Sequence, residues 1–182
     1  MKRKILAIEE KYKEKALDFV EKVFTEYQDA AEGRMVRALM EEIRAKKFYI
    51  PELELIMVDE AGEIIGYVMF SGFTIEGRYE GELLLLTPAA VRTDLQRQHI
   101  SKDIIEYGFR QAKEMGYKAV LVEGNPQNYH ARGFRTAADL GILPGHSVPL
   151  PYIECLMVKE LQAGALAKIK GTVEYDFYKT LT

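Results

Sequence analysis

The chain has 182 residues, 48% of them apolar and 29% charged, a size and balance expected to bury a globular core without disulfides or metals. Its net charge of −3 at pH 7 removes any general attraction to nucleic acid, and its single cysteine, Cys155, excludes an intrachain disulfide and fits a reducing cytoplasm. The apolar run Ile5–Ile8 is too short for a signal-peptide core and no other run approaches membrane-spanning length, so no membrane partner is expected.

Residues 4–8 read as a first strand. Ala16, Leu17, Val20, Val23, Phe24 and Tyr27 then recur at helical spacing, which predicts an amphipathic helix over about 11–29. Met35, Val36, Leu39, Met40 and Ile43 predict a second helix continuing after Gly33, with Ile50-Pro51 closing this N-terminal region. Residues 52–60 and 63–74 are rich in β-branched and aromatic side chains around the turn signal Asp59–Glu63, which predicts a hairpin. Its second arm barely alternates, as expected of a strand covered on both faces. Residues 72–81 read as a polar loop, and Leu83–Leu86 as the next strand.

A short polar loop follows, and then Ile100, Ile104, Gly108, Phe109, Ala112 and Met115 mark one face of a helix that Gly116 stops. Ala119–Val122 is a further strand, and strand–helix–strand at this spacing predicts a crossover with parallel strands. Beyond Phe134 the prolines 144, 149 and 151 leave the chain irregular, until strands are expected at 153–161 and 170–175. The order predicts an α/β class in its α+β form: a mixed, mostly antiparallel sheet with one parallel crossover and helices on both faces. No linker separates domains, so a single domain over 1–182 is expected, with an N-terminal part to about 50, a core to 161 and an extension from 162.

The chemistry concentrates where the strand at 83–86 feeds the helix at 100. A helix N-terminus there presents unpaired N–H groups backed by the helix dipole, a natural cradle for phosphate. The amides of Arg97, Gln98, His99, Ile100, Ser101 and Lys102 would hold a pyrophosphate, with Arg97 or Lys102 adding charge. The plainer reading is a helix cap made by Ser101 or Asp94. Neither a dinucleotide fingerprint nor a Walker loop occurs, since the glycines are missing.

The hexapeptide Gln96-Arg97-Gln98-His99-Ile100-Ser101 resembles the acyl-CoA loop of the GCN5-related N-acetyltransferase (GNAT) superfamily, with Gln96 in register, and His99 and Ser101 where that family has glycine and glycine or alanine. Downstream, Asn125, Tyr129 and Gly133-Phe134 repeat the family's spacing. The stretch Met157–Leu161 with Gly164–Leu166 and Gly171–Tyr175 is similar to the tail of one bacterial branch of acetyltransferases, so the resemblance covers roughly residues 50–177.

The resemblance implies a GNAT-like fold and an N-acetyltransferase that moves an acetyl group from acetyl-CoA, its cosubstrate, to a primary amine of an unidentified small molecule or peptide by direct attack. It implies that Tyr129 protonates the departing thiolate and Asn125 bonds the cofactor arm, while Ala89, Ala90 and Val91 offer backbone groups to the pantetheine and thioester. A phenol suits the acid role because it keeps its proton at pH 7. A homodimer stays open, since the sequence does not decide the oligomeric state. The altered loop sustains a second expectation, a catalytically weak or inactive acyl-CoA sensor, and predicts impaired CoA binding that His99→Gly improves.

Three histidines, His99, His130 and His146, lack paired ligand spacing, so no metal site is expected. Cys155, in an apolar run, reads as buried and inert rather than nucleophilic. Glu76, Glu80, Glu82 and Glu154 are candidate bases between which the sequence does not choose.

Overall fold

The computed structural model describes residues 2–182. The strands and helices in chain order are β1 (Lys4–Ala7), α1 (Lys13–Tyr27), α2 (Ala30–Arg44), β2 (Glu54–Val58), β3 (Ile64–Ile75), β4 (Arg78–Val91), α3 (Ile100–Glu114), β5 (Ala119–Glu123), α4 (Pro126–His130), β6 (Arg135–Thr136), β7 (Ile142–Pro144), β8 (Leu156–Glu160) and β9 (Gly171–Val173). The main sheet has the order β1-β2-β3-β4-β5-β8-β6, and β7 pairs with β9 in a second, two-stranded sheet. In the main sheet β4 and β5 run parallel, as the crossover predicts, while β1–β2, β2–β3, β5–β8 and β6–β8 are antiparallel. The mixed α/β class is therefore as expected.

Two compact units cluster along the chain: residues up to Ser71 with Thr87–Arg110, and Gly72–Leu86 with Gln111–Thr182. In the first, every residue of β2 is buried, and β3 is buried from Ile64 to Phe73 without alternation, which is the pattern of a strand covered on both faces. Gly66 is needed for close packing, since a Cβ there would stand 2.7 Å from Ile100 Cγ2, and a Cβ at Gly108 would run into the Phe70 ring. Phe70 also meets Phe109 edge to face at 6.0 Å.

The second helix departs from expectation. Asp29 caps it by accepting from Glu32 N at 2.8 Å, so α2 begins before Gly33 and carries that glycine inside it. The reason is helix crossing: a Cβ on Gly33 would stand 2.6 Å from Glu21 O and collide with Thr25 Oγ1 of α1. Under this pair lies a buried polar knot. Glu54, fully buried, accepts from Arg44 Nη2 at 2.6 Å, Tyr49 hydroxyl at 2.5 Å and Tyr67 hydroxyl at 2.6 Å.

In the second unit the region 72–81 is not a loop. Phe73 and Ile75 are buried, so β3 continues to Ile75, turns through Glu76 and Gly77, both at positive φ, and returns as β4 from Arg78. The polar residues that suggested a loop are the turn and its solvent-facing partners. Of the later elements, the expected strand at 153–161 shortens to β8 because residues 153–155 form a 3-10 turn that holds Cys155, buried as anticipated. Met115, expected on the apolar face, is 44% exposed just past the last turn of α3. No helix among the described residues is long and apolar enough to cross a membrane.

Candidate functional site

The first unit contains the loop between β4 and α3. β4 does not stop at Leu86 but runs through Ala89, Ala90 and Val91, pairing with β5 over Leu83–Leu85. Ala90 is buried, while Ala89 and Val91 are half-buried. A 3-10 turn over Thr93–Leu95 follows, pinned by Arg92 N donating to Ile65 O at 3.0 Å and by Leu95, which is buried. Gln96, the residue that matches the family signature, donates from Nε2 to Val91 O at 2.9 Å and so ties the loop back to the strand. Gln98 is held from outside: Arg3 donates to its carbonyl at 2.8 Å and to its Oε1 at 2.7 Å.

Arg97 and His99 both have φ of 63°, the left-handed region that favours glycine. A glycine at the position of His99 in the family thus corresponds here to a side-chain-bearing residue held in the same kind of backbone conformation. The first α3 bond is Asp103 N to His99 O at 2.9 Å. Among the described residues, the amides of Arg97, Gln98, His99, Ile100 and Lys102 donate to no protein acceptor, which leaves the N-terminus of α3 as a row of unanswered donors. Arg97 and Lys102 are exposed there and, among the described residues, form no ion pair. Asp94 does not cap the helix; it faces Arg92 Nε at 2.7 Å, and that guanidinium holds its carboxyl below the usual range.

The second unit contains the other expected residues. Asn125 caps α4, its side chain accepting from Gln127 N at 2.9 Å, with Pro126 at the first helical position. Tyr129 lies one turn later. Its ring meets Phe134 edge to face at 5.5 Å, and its carbonyl accepts from Arg132 N at 2.9 Å and Phe134 N at 3.1 Å. Phe134 is 3% exposed, which makes it the fixed wall of this small cluster. Desolvation pushes the Tyr129 phenol above its ordinary value, against a smaller opposing effect of Arg132, so it holds its proton firmly. No protein acceptor takes that proton among the described residues.

Gly124 was not singled out from sequence. A Cβ there would stand 2.6 Å from Tyr129 Cε2, so only glycine lets the phenol ring lie over the end of β5. The glycine directly before Asn-Pro was the available signal. Gly133 has φ of 88°, and its Cα faces Lys159, whose Nζ would be 2.6 Å from an added Cβ. Glu123, also passed over, ends β5 and accepts from the Tyr175 hydroxyl at 3.1 Å.

Of the four carboxylates considered from sequence, Glu80 lies exposed in β4 and the other three are placed elsewhere. Glu76 accepts from Thr172 N at 3.0 Å, Glu82 pairs with Lys118, and Glu154 sits in the 3-10 turn before β8. His99 and His130 are exposed and separate in the chain's elements. His146 is brought to Glu174 (Nδ1 to Oε2, 3.0 Å) and Asp176 (Nε2 to Oδ1, 3.7 Å), a meeting that sequence spacing hid. The two ring nitrogens face two different carboxylates.

Comparison with known proteins agrees with this picture. The model of the acetyltransferase (GNAT) family matches residues 12–137. The uncharacterised N-acetyltransferase YhbS of Escherichia coli is 28% identical over 152 residues, which cover 82% of this chain and 83% of that protein. The crystal structure of E. coli YhbS in complex with CoA superposes with a TM-score of 0.78 at 25% identity, covering 95% of this chain and 89% of the other. A GNAT acetyltransferase from Brucella melitensis in complex with acetyl-CoA superposes with a TM-score of 0.69 at 22% identity, covering 96% of each chain, and shares the fold. Because that family model spans well over half of the sequence, the chain belongs to the acetyltransferase (GNAT) family.

Proposed function

We propose that this chain transfers the acetyl group of acetyl-CoA to a primary amine by direct attack. The observation that carries the proposal is the row of unanswered amides at Arg97, Gln98, His99, Ile100 and Lys102, flanked by the unpaired cations Arg97 and Lys102. Such a row matches the pyrophosphate of CoA in charge and in donor number. Ser101 belongs to the same first turn, and Gln96 holds the loop against the strand. In the second unit, Tyr129 supplies a proton to the departing thiolate and Asn125 bonds the cofactor arm. The backbone of Ala89, Ala90 and Val91 meets the pantetheine and the thioester carbonyl, where an aimed N–H stabilises the developing oxyanion. The E. coli relative with CoA bound supports the choice of cosubstrate.

Direct attack is favoured because Cys155 is buried and the His146 ring nitrogens face the carboxylates of Glu174 and Asp176 rather than a hydroxyl or thiol. Isothermal calorimetry with acetyl-CoA and CoA, followed by thiol release with a panel of primary amines, tests the reading. Saturable binding that weakens on Arg97→Ala and Lys102→Ala is expected, and no heat at millimolar acetyl-CoA would refute it.

A second reading, an acyl-CoA sensor without turnover, is favoured by one observation, the side-chain-bearing residues at left-handed φ in the loop. CoA binding with no thiol release above the uncatalysed rate on any amine selects it.

A further inference from the structure

We propose that Glu123 is the proton acceptor for the ammonium form of the substrate, with Tyr175 positioning its carboxylate. The inference rests on the acetyl transfer proposed above and names a group that the reaction needs.

β5 ends on a single glutamate. Ala119–Val122 are buried and only Glu123, the last residue, is exposed, so the strand delivers one carboxylate to solvent at its carboxyl end. Gly124 and Asn125 follow at once, then the turn of helix that bears Tyr129. A proton acceptor and a proton donor thereby share one strand end.

Glu123 is also held. Tyr175 is 4% exposed; its ring meets Phe73 edge to face at 6.2 Å, and its N–H donates to Ser147 Oγ at 2.8 Å. Ser147 Oγ in turn donates to Glu174 Oε2 at 2.5 Å, which itself faces His146. The phenol is thus fixed from two sides, and its hydroxyl reaches Glu123 Oε1 at 3.1 Å. The other carboxylate oxygen of Glu123 has no protein partner among the described residues. Three other carboxylates of this unit are engaged by the fold: Glu160 by Gly164 N and Leu166 N, Glu174 by Ser147, Glu76 by Thr172 N.

The electrostatics agree. Desolvation raises the Glu123 carboxyl above its ordinary range, and the Tyr175 hydrogen bond opposes that rise. Burial, together with the adjoining carboxylate, pushes the Tyr175 phenol far up, so it is a fixed donor and not a second acid. Of the neighbouring elements, β8 sets Leu156 opposite Glu123, and Tyr175 is the titratable group that reaches its carboxylate.

The proton count closes. An ammonium gives one proton to the Glu123 carboxylate and becomes an amine. The nitrogen lone pair attacks the thioester carbon; the C–N bond forms and the C–S bond breaks. The thiolate takes the Tyr129 proton, and the second proton lost by nitrogen on collapse restores Tyr129. Glu123 then releases its proton to solvent, so the sum is amide, CoA thiol and one H⁺.

The test is the pH dependence of kcat/KM, measured by thiol release with a primary amine that the wild type acetylates. Glu123→Gln is expected to lower kcat/KM by about a hundredfold or more and to remove the acidic limb, with CoA affinity unchanged by calorimetry. Glu123→Asp should restore part of the rate. Tyr175→Phe keeps the ring on Phe73 but removes the bond that favours the charged carboxylate, so its acidic limb should move to higher pH, a shift that a merely structural tyrosine does not produce. Wild-type turnover with an unaltered profile in Glu123→Gln overturns this assignment alone; a wild type that acetylates no amine overturns the acetyl-transfer reading with it.

Discussion

Replacing Arg44 by methionine removes the counter-charge of the buried Glu54 while keeping most of the side-chain volume. The carboxylate is fully buried and the Arg44 side chain 13% exposed, so water cannot take over. Lost are contacts from Arg44 Nε to both carboxylate oxygens, at 3.2 and 3.0 Å, and from Nη2 at 2.6 Å, as well as Nη1 to Lys13 O at 3.2 Å. The two phenols remain, but two hydrogen bonds do not neutralise a charge out of water. Breaking such a buried pair costs about 3–5 kcal/mol. For a chain of this size that is a fall in Tm on the order of 10 °C. Urea unfolding followed by far-UV circular dichroism reads it, since the chain has no tryptophan. The companion variant Glu54→Gln and the double variant complete a cycle, and the double variant should be less destabilised than the two single losses summed by about 2 kcal/mol or more. A loss below about 1 kcal/mol in Arg44→Met, or additive losses in the cycle, would refute the claim that the pair acts as one buried unit.

Tyr129→Phe should lower kcat roughly tenfold to several hundredfold with CoA affinity nearly constant, because the ring keeps its place against Phe134 and only the proton is lost; unchanged kcat where chemistry limits the rate would reduce Tyr129 to packing. His99→Gly should raise stability by up to about 1 kcal/mol, since a φ of 63° is costly for histidine and the gain is reduced by the greater unfolded-state freedom of glycine. Because that conformation is already present without ligand, the relief belongs to folding, and a urea midpoint that does not rise would show the loop to be unstrained. Stability should also fall above about pH 10: the phenols of Tyr49, Tyr67 and Tyr175 are pushed above their ordinary value, first by burial and then by their carboxylate partners, so their contribution is complete below the unfolded-state pKa of about 10 and is lost as pH rises past it. A urea midpoint constant from pH 8 to 11 would contradict this.

Periodicity exposed much of the fold. The 3.6-residue recurrence in α1 and α3, and the unalternating run of β3, are local consequences of which face must leave water. The loop ahead of α3 was legible for the same reason, as a helix start is written in a few adjacent residues. The hairpin at 72–81 was not legible, because its turn and exposed positions have loop-like polarity and its pairing lies in the backbone. Gly33 read as a break but serves a helix crossing, which depends on Thr25 and Glu21 of another helix.

Chemistry divides along the same line. The order Gln96, Asn125, Tyr129, Gly133-Phe134 was set by sequence alone, because those residues sit at local strand and helix ends. Glu123 was indistinguishable from any other glutamate until Tyr175 met it across 52 residues of chain, and His146 was unremarkable until the fold set it between Glu174 and Asp176. A carboxylate acquires a role from what shares its dielectric surroundings and its hydrogen bonds, and those neighbours are chosen by tertiary contact.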